Sequence, residues 1–132
     1  MSEQNLEMVR RNLEAFNRCD LTTWLASFSP DAEIDWSRAR ALFKGVYRGR
    51  AKQEEFWNEF WSTFENVQVE YHGFTEVGNA GFVPNTAYMR GRQGIEVVAR
   101  STFLITVDGR RITHFRLFQE EAEALKAAGL WE

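Results

Sequence analysis

The sequence predicts an α+β domain, a curved antiparallel sheet of four long strands plus a short strand. The sheet wraps around three N-terminal helices and forms a cone with an internal pocket. Three observations predict it. Apolar residues recur at helical spacing as far as Phe64, polar and apolar residues alternate from Val67 onward, and the alternating segments are long. A segment of twelve residues extends about 40 Å, more than one helix covers if the sheet stays flat. Twist and bulges therefore curl it around the first helix and leave one open end.

Leu6, Val9, Leu13 and Phe16 share one face of a helix of about four turns, for which Ser2 is the N-cap. Asp20 caps a shorter helix carrying Leu21, Trp24, Leu25 and Phe28, and Ser29-Pro30-Asp31 stops it. A short strand, Ala32 to Trp36, sets Ile34 and Trp36 on one face and Glu33 and Asp35 on the other. Ser37 to Gly49 reads as a loop. From Ala51 to Phe64 a third helix bears the stripe Phe56, Phe60, Phe64, with Trp57 and Trp61 beside it. The first long strand alternates Val67, Val69 and Tyr71 with Gln68, Glu70 and His72. Gly81 to Arg92 is the second, where Pro84 removes a ladder donor and points to an edge or a bulge. Ile95 to Thr106 is the third, Asp108-Gly109 turns the chain, and Arg111 to Gln119 is the fourth. A helical turn or two from Glu120 to Ala127 ends at Gly129.

Composition narrows the function. The 132 residues suit one domain spanning 1–132, and 44% hydrophobic with 27% charged residues is globular. Aromatic residues reach 14%, so large flat side chains must be buried or must line something. No apolar run approaches the roughly 20 residues of a membrane span, and the N-terminus lacks a signal-peptide pattern. The single cysteine, Cys19, forms no internal disulfide, which suits the cytoplasm. A net charge of −3 argues against nucleic-acid binding. Two histidines and one cysteine show no metal-ligand spacing, and neither a phosphate loop nor a dinucleotide fingerprint is present, so no metal or cofactor is expected. The run Arg38, Arg40, Lys44, Arg48, Arg50 is the main positive cluster; it reads as solvated surface paired with Glu54, Glu55 and Glu59, or else as an entrance attracting carboxylated substrates.

The order of elements, with AFNRCDLTTWLASFSPDAEIDW, YRGR and HFRLFQEEAEALKAAGL, resembles the SnoaL-like branch of the nuclear transport factor 2-like superfamily. That group includes ketosteroid isomerases, polyketide cyclases and limonene epoxide hydrolases. The resemblance implies the cone, a pocket for apolar, often cyclic molecules, and dimerisation through the outer face of the sheet. It does not imply one activity, because the cone hosts enzymes and non-enzymes alike. Laid on this sequence, the isomerase's catalytic pattern fails. Its base falls at Trp36, with Asp35 one position earlier, its oxyanion-hole tyrosine at Asn12 and its protonated aspartate at Thr102. An aromatic wall position is kept at Trp57.

Which side chains face the cavity depends on the last hairpin. A two-residue loop sets His114 opposite Phe103. A three-residue loop with Gly109 in a left-handed bulge sets Thr102 opposite His114 and Arg100 opposite Arg116. The second register agrees with the resemblance and is the one adopted. It turns Thr102, His114, Arg116 and Phe118 inward and leaves Val97, Ala99, Phe103, Ile105, Phe115 and Leu117 as an outer apolar strip. A homodimer would cover that strip. The facing arginines then need structural carboxylates or an anionic ligand.

His114 is the leading acid–base candidate because its ordinary pKa lies near neutrality, and a hydrogen-bonded core histidine is the plainer alternative. Asp35 is the second, though its strand parity points it away from the cavity. Phe16, Trp36, Trp57 and Trp61 are the candidate walls, suited to stacking on a flat ring, and otherwise ordinary core. Two functions follow. One is a cofactor-independent isomerase, cyclase or dehydratase using His114 and Asp35, with Arg100, Thr102 and Arg116 stabilising an enolate. The other is a dimeric module binding a small, largely apolar molecule, carbonyl- or carboxylate-bearing, or a protein partner, without chemistry. A histidine paired with a carboxylate inside the cavity separates the first from the second.

Overall fold

A computed structural model describes residues 1–39 and 43–129. Ser2 caps helix α1 (Glu3–Asn17) by accepting from the Asn5 amide, and Asp20 caps α2 (Leu21–Ala26) by accepting from the Thr23 amide. Strand β1 (Phe28–Asp35) begins four residues earlier than the pattern predicts. Pro30 is accommodated because the pairing of β1 slips between Phe28 and Glu33, where no ladder donor is needed. The following loop contains a short strand, β2 (Val46–Arg48), that the sequence reading leaves as coil. Arg40, a member of the basic run, lies outside the described residues.

Helix α3 (Arg50–Thr63) is tied to β1 by Gln53. This fully buried side chain donates to the Ser29 and Ala32 carbonyls, each at 3.2 Å, and accepts from Arg50 at 3.0 Å. Arg50 also donates to the Leu25 and Phe28 carbonyls, so it serves the fold and is not a steering charge. The rest of the chain is β3 (Phe64–Tyr71), β4 (Thr75–Val77), β5 (Ala80–Gly91), β6 (Glu96–Asp108), β7 (Arg111–Phe118) and α4 (Glu121–Ala127).

The strands form one open sheet in the order β2-β1-β7-β6-β5-β3, with β4 also on β5. All pairs are antiparallel except β1 with β7. Pro84 lies inside the sheet, not at its edge. It sits at the gap between β3, whose pairing with β5 ends at Tyr71↔Asn85, and β4, whose pairing begins at Thr75↔Phe82, so its missing N–H interrupts no ladder. At the outer edge of β3, the Asn17 side-chain amide exchanges two 2.8 Å hydrogen bonds with the Val69 backbone. It pins α1 to the sheet and covers an edge that would otherwise be open.

The concave face packs on the helices around Val9, Leu13, Trp24, Phe56, Val67 and Ile105. On the convex face a second cluster joins Phe82, Leu104 and Phe118 to Ala124 of α4.

Here the structure corrects the adopted hairpin register. The turn is Gly109-Arg110 between Asp108 and Arg111, and the pairing slips at Thr113, giving Thr106↔His114, Leu104↔Arg116 and Thr102↔Phe118. Arg100 stands opposite Thr86, so the like-charged arginine pair does not form. The residues grouped as an outer strip do share a face, but it is the concave one. Phe103, Ile105, Phe115 and Leu117 are all buried in the main core. They face the helices and the interior, which removes the strip as an argument for a dimer.

Candidate functional site

Between the concave sheet and the helices lies a cavity of about 730 Å³. Its floor is aromatic. Trp36, at the end of β1, meets Phe103 and Phe115 with ring centroids 5.7 and 5.8 Å away, and those two rings are 4.8 Å apart. Helices supply Phe16, Trp24, Phe56 and Phe60, with Phe16 edge-on to Phe60 at 5.2 Å. Helical spacing and strand alternation send these rings to one side, and the tilted and edge-to-face contacts hold them apart as walls.

The cavity opens where β6 outruns β7. Pairing between them stops at Thr102↔Phe118, so among the described residues the Glu96–Ser101 stretch of β6 pairs only with β5. Exposed lining residues mark the mouth there: Val97, Val98, Arg100 and Glu120.

Polar groups inside are few. Asn12 of α1 is 1% exposed; its Nδ2 donates to the Trp24 carbonyl at 3.1 Å, and its Oδ1 has no partner among the described residues. The Tyr71 hydroxyl donates to the Leu13 carbonyl at 2.9 Å. Burial pushes the Tyr71 phenol well above its ordinary pKa, since the phenolate would lose water without gaining a cation. The Ser101 hydroxyl donates to Asn85 Oδ1 at 3.1 Å.

Of the residues expected to line the site, Phe16, Trp36 and Arg100 do so. Trp57 and Trp61 stand behind the wall, packed on Phe16 with centroids 5.5 and 5.3 Å away. Four lie on the convex face. Thr102 and Phe118 are buried there, Phe118 under α4. Arg116 stands beside Asp35 in the β1–β7 ladder, with its guanidinium 5.9 Å from the Phe118 ring. His114 is exposed and meets Thr113 at 3.2 Å.

Asp35 also faces outward, accepting from the Ser37 amide and hydroxyl at 3.0 and 2.6 Å and standing 3.6 Å from Arg38. No histidine or aspartate is among the described lining residues. The physical reason is parity. Thr102 was placed inward by analogy, and one position along a strand reverses the face for every side chain that follows it.

Sequence reasoning passed over Tyr71, Asn85, Ser101 and Gln119 as lining residues. The available signal was their spacing of two from Val69, Ala87, Ala99 and Leu117, which sets each on the same face as an apolar residue of β3, β5, β6 or β7.

Comparison with known proteins agrees with this architecture. An NTF2-like protein of unknown function from Burkholderia pseudomallei superposes with a TM-score of 0.80 at 22% identity, covering 96% of this chain and 97% of its own. TerC, co-crystallised with polyporic acid, superposes at 0.79 and 16% identity, covering 96% and 99%. A Mycobacterium tuberculosis protein in complex with estradiol-17β-hemisuccinate superposes at 0.77 and 13% identity, covering 91% and 96%. No curated protein sequence matches the chain. The model of the SnoaL-like domain matches residues 9–115, which run from the first core valine of α1 to the phenylalanine of β7 on the cavity floor, and the chain belongs to that family.

Proposed function

We propose that this protein binds a small, largely apolar, ring-containing molecule inside the cone without proton-transfer catalysis by His114 or Asp35. One observation carries the reading: an aromatic cavity of about 730 Å³ whose described lining holds neither imidazole nor aspartate. Burial of apolar rings against such walls supplies affinity at roughly 25 cal/mol per Å² removed from water, and the few neutral polar groups supply orientation. An isomerase, cyclase or dehydratase needs a proton carrier within hydrogen-bond reach of the bound molecule. The side chains nominated for that role are on the other face of the sheet. That the neighbours TerC and the mycobacterial protein hold ringed small molecules supports the binding reading.

A cytoplasmic homodimer docked through the convex face is part of the proposal. Among the described residues no helix is long and apolar enough to cross a membrane. The dimer contact passes from the buried strip to Tyr88 and Val98, 47% and 61% exposed on the convex side.

The test is a panel of uncharged polycyclic compounds read by melting temperature and by quenching of Trp24 and Trp36. Saturable quenching with a rise in melting temperature is expected. Ala99→Trp, which places an indole ring in the cavity beside its mouth, is expected to abolish both. A panel in which nothing saturates, or Ala99→Trp binding as well as the native protein, would count against the reading.

A further inference from the structure

The registers of the sheet place its polar lining in one line. Tyr71 of β3 stands opposite Asn85 of β5, and Asn85 stands opposite Ser101 of β6. One residue past the Thr102↔Phe118 pair, Gln119 lines the same cavity. The rows on either side are apolar: Val69, Ala87 and Ala99 toward the mouth, and Val83, Phe103 and Leu117 toward the floor. A band of neutral polar side chains thus crosses the concave face between two apolar bands. Asn85 is buried and the other three are half-buried, and polar side chains drawn out of water cost stability unless satisfied, so a row of four in a cavity wall is not what packing alone selects.

We propose that this row recognises the hydroxyl group of an uncharged, ring-bearing ligand, an inference that rests on the binding reading above. The existing hydrogen bonds define what the row has left to offer. The Tyr71 hydroxyl spends its proton on the Leu13 carbonyl and the Ser101 hydroxyl spends its own on Asn85, so both oxygens keep acceptor lone pairs. Asn85 Nδ2 gives one hydrogen to the Val83 carbonyl at 3.1 Å and keeps the other. Gln119 adds a carboxamide with its own donors and acceptor, and acceptors together with donors suit a group that both gives and takes a hydrogen bond. A hydroxyl does; an ether only takes.

A carboxylate only takes and brings a charge. Arg100, exposed at the mouth, is the sole cation among the described lining residues, so an anion seated at the row would lie buried without a partner.

The experiment uses four probes of one shape: pyrene, 1-hydroxypyrene, 1-methoxypyrene and 1-pyrenecarboxylate, titrated against the full chain at a pH where the phenol is neutral. Native protein is expected to bind 1-hydroxypyrene about tenfold more tightly than pyrene or the methyl ether, and the carboxylate most weakly. Ser101→Ala is expected to bring the hydroxypyrene affinity to within about threefold of pyrene, both measured on the same variant. Tyr71→Phe, which keeps the ring, is the second variant, with circular dichroism confirming that each is folded.

Equal affinity for pyrene and 1-hydroxypyrene in native protein would overturn the recognition row and leave the apolar cavity standing. So would a preference that survives both variants, or tightest binding of the carboxylate. Failure of all four probes to bind folded protein would overturn the cavity reading, and the row with it.

Discussion

Tyr71 couples one buried phenol to the stability of the whole chain. Its hydroxyl joins β3 to α1 through the Leu13 carbonyl, and Tyr71→Phe should lower unfolding stability by about 1 kcal/mol, measured by denaturant titration. Burial raises its pKa in the folded state. The stabilisation is therefore fully present below the unfolded value, near pH 10, and is lost as pH rises through the raised folded value, because the unfolded chain releases the proton first. Melting temperature should fall above about pH 10, and Tyr71→Phe should flatten part of that fall. His114 gives the opposite case. Exposed on the convex face, it should tolerate His114→Ala with a stability change within about 0.5 kcal/mol and unaltered probe affinity. A loss of binding in that variant would place the imidazole in the site after all.

Among the elements, α3 depends on a polar anchor more than on its aromatic stripe alone. Gln53 is wholly buried and satisfies two β1 carbonyls while accepting from Arg50. Gln53→Leu keeps the volume but leaves those partners unpaired, and should cost about 1–3 kcal/mol in denaturant unfolding. The β6–β7 hairpin shows why element boundaries were legible and facing was not. Asp108-Gly109 marks a turn from local chemistry, but the slip at Thr113 is invisible in the alternation around it. A bulge adds one residue to one strand, and the side chains beyond it change sides relative to the alternation before it. β2 was missed because three residues carry too little periodicity to separate a strand from a loop.

For the molecule as a whole, the balance of filled and hollow interior decides function. The main core wraps the cavity while a smaller one beneath α4 closes the convex face over Leu104 and Phe118. Helix α4 thus covers part of the convex face and leaves Tyr88 and Val98 exposed, the contact that the proposed dimer would use. Sedimentation equilibrium at micromolar concentration should show a dimer that Tyr88→Glu with Val98→Glu shifts to monomer. A native monomer would remove the convex face as an interface. At this scale Ala99→Trp is also expected to leave melting temperature equal or higher, since its indole gains apolar contacts along the cavity wall.

Local rules were sufficient for much of this protein. Caps at Ser2 and Asp20, the helical stripe of α3, the long alternating strands and the excess of aromatic rings over what a small core needs are all written in residue order, because each depends on neighbours within a few positions. The sequence also grouped Phe103, Ile105, Phe115 and Leu117 correctly on one face. Which face that was, and hence which side chains meet a ligand, depended on where three helices settle against strands far along the chain and on a one-residue slip between β6 and β7. Those are long-range packing choices, and a period of two carries no sign to distinguish inside from outside.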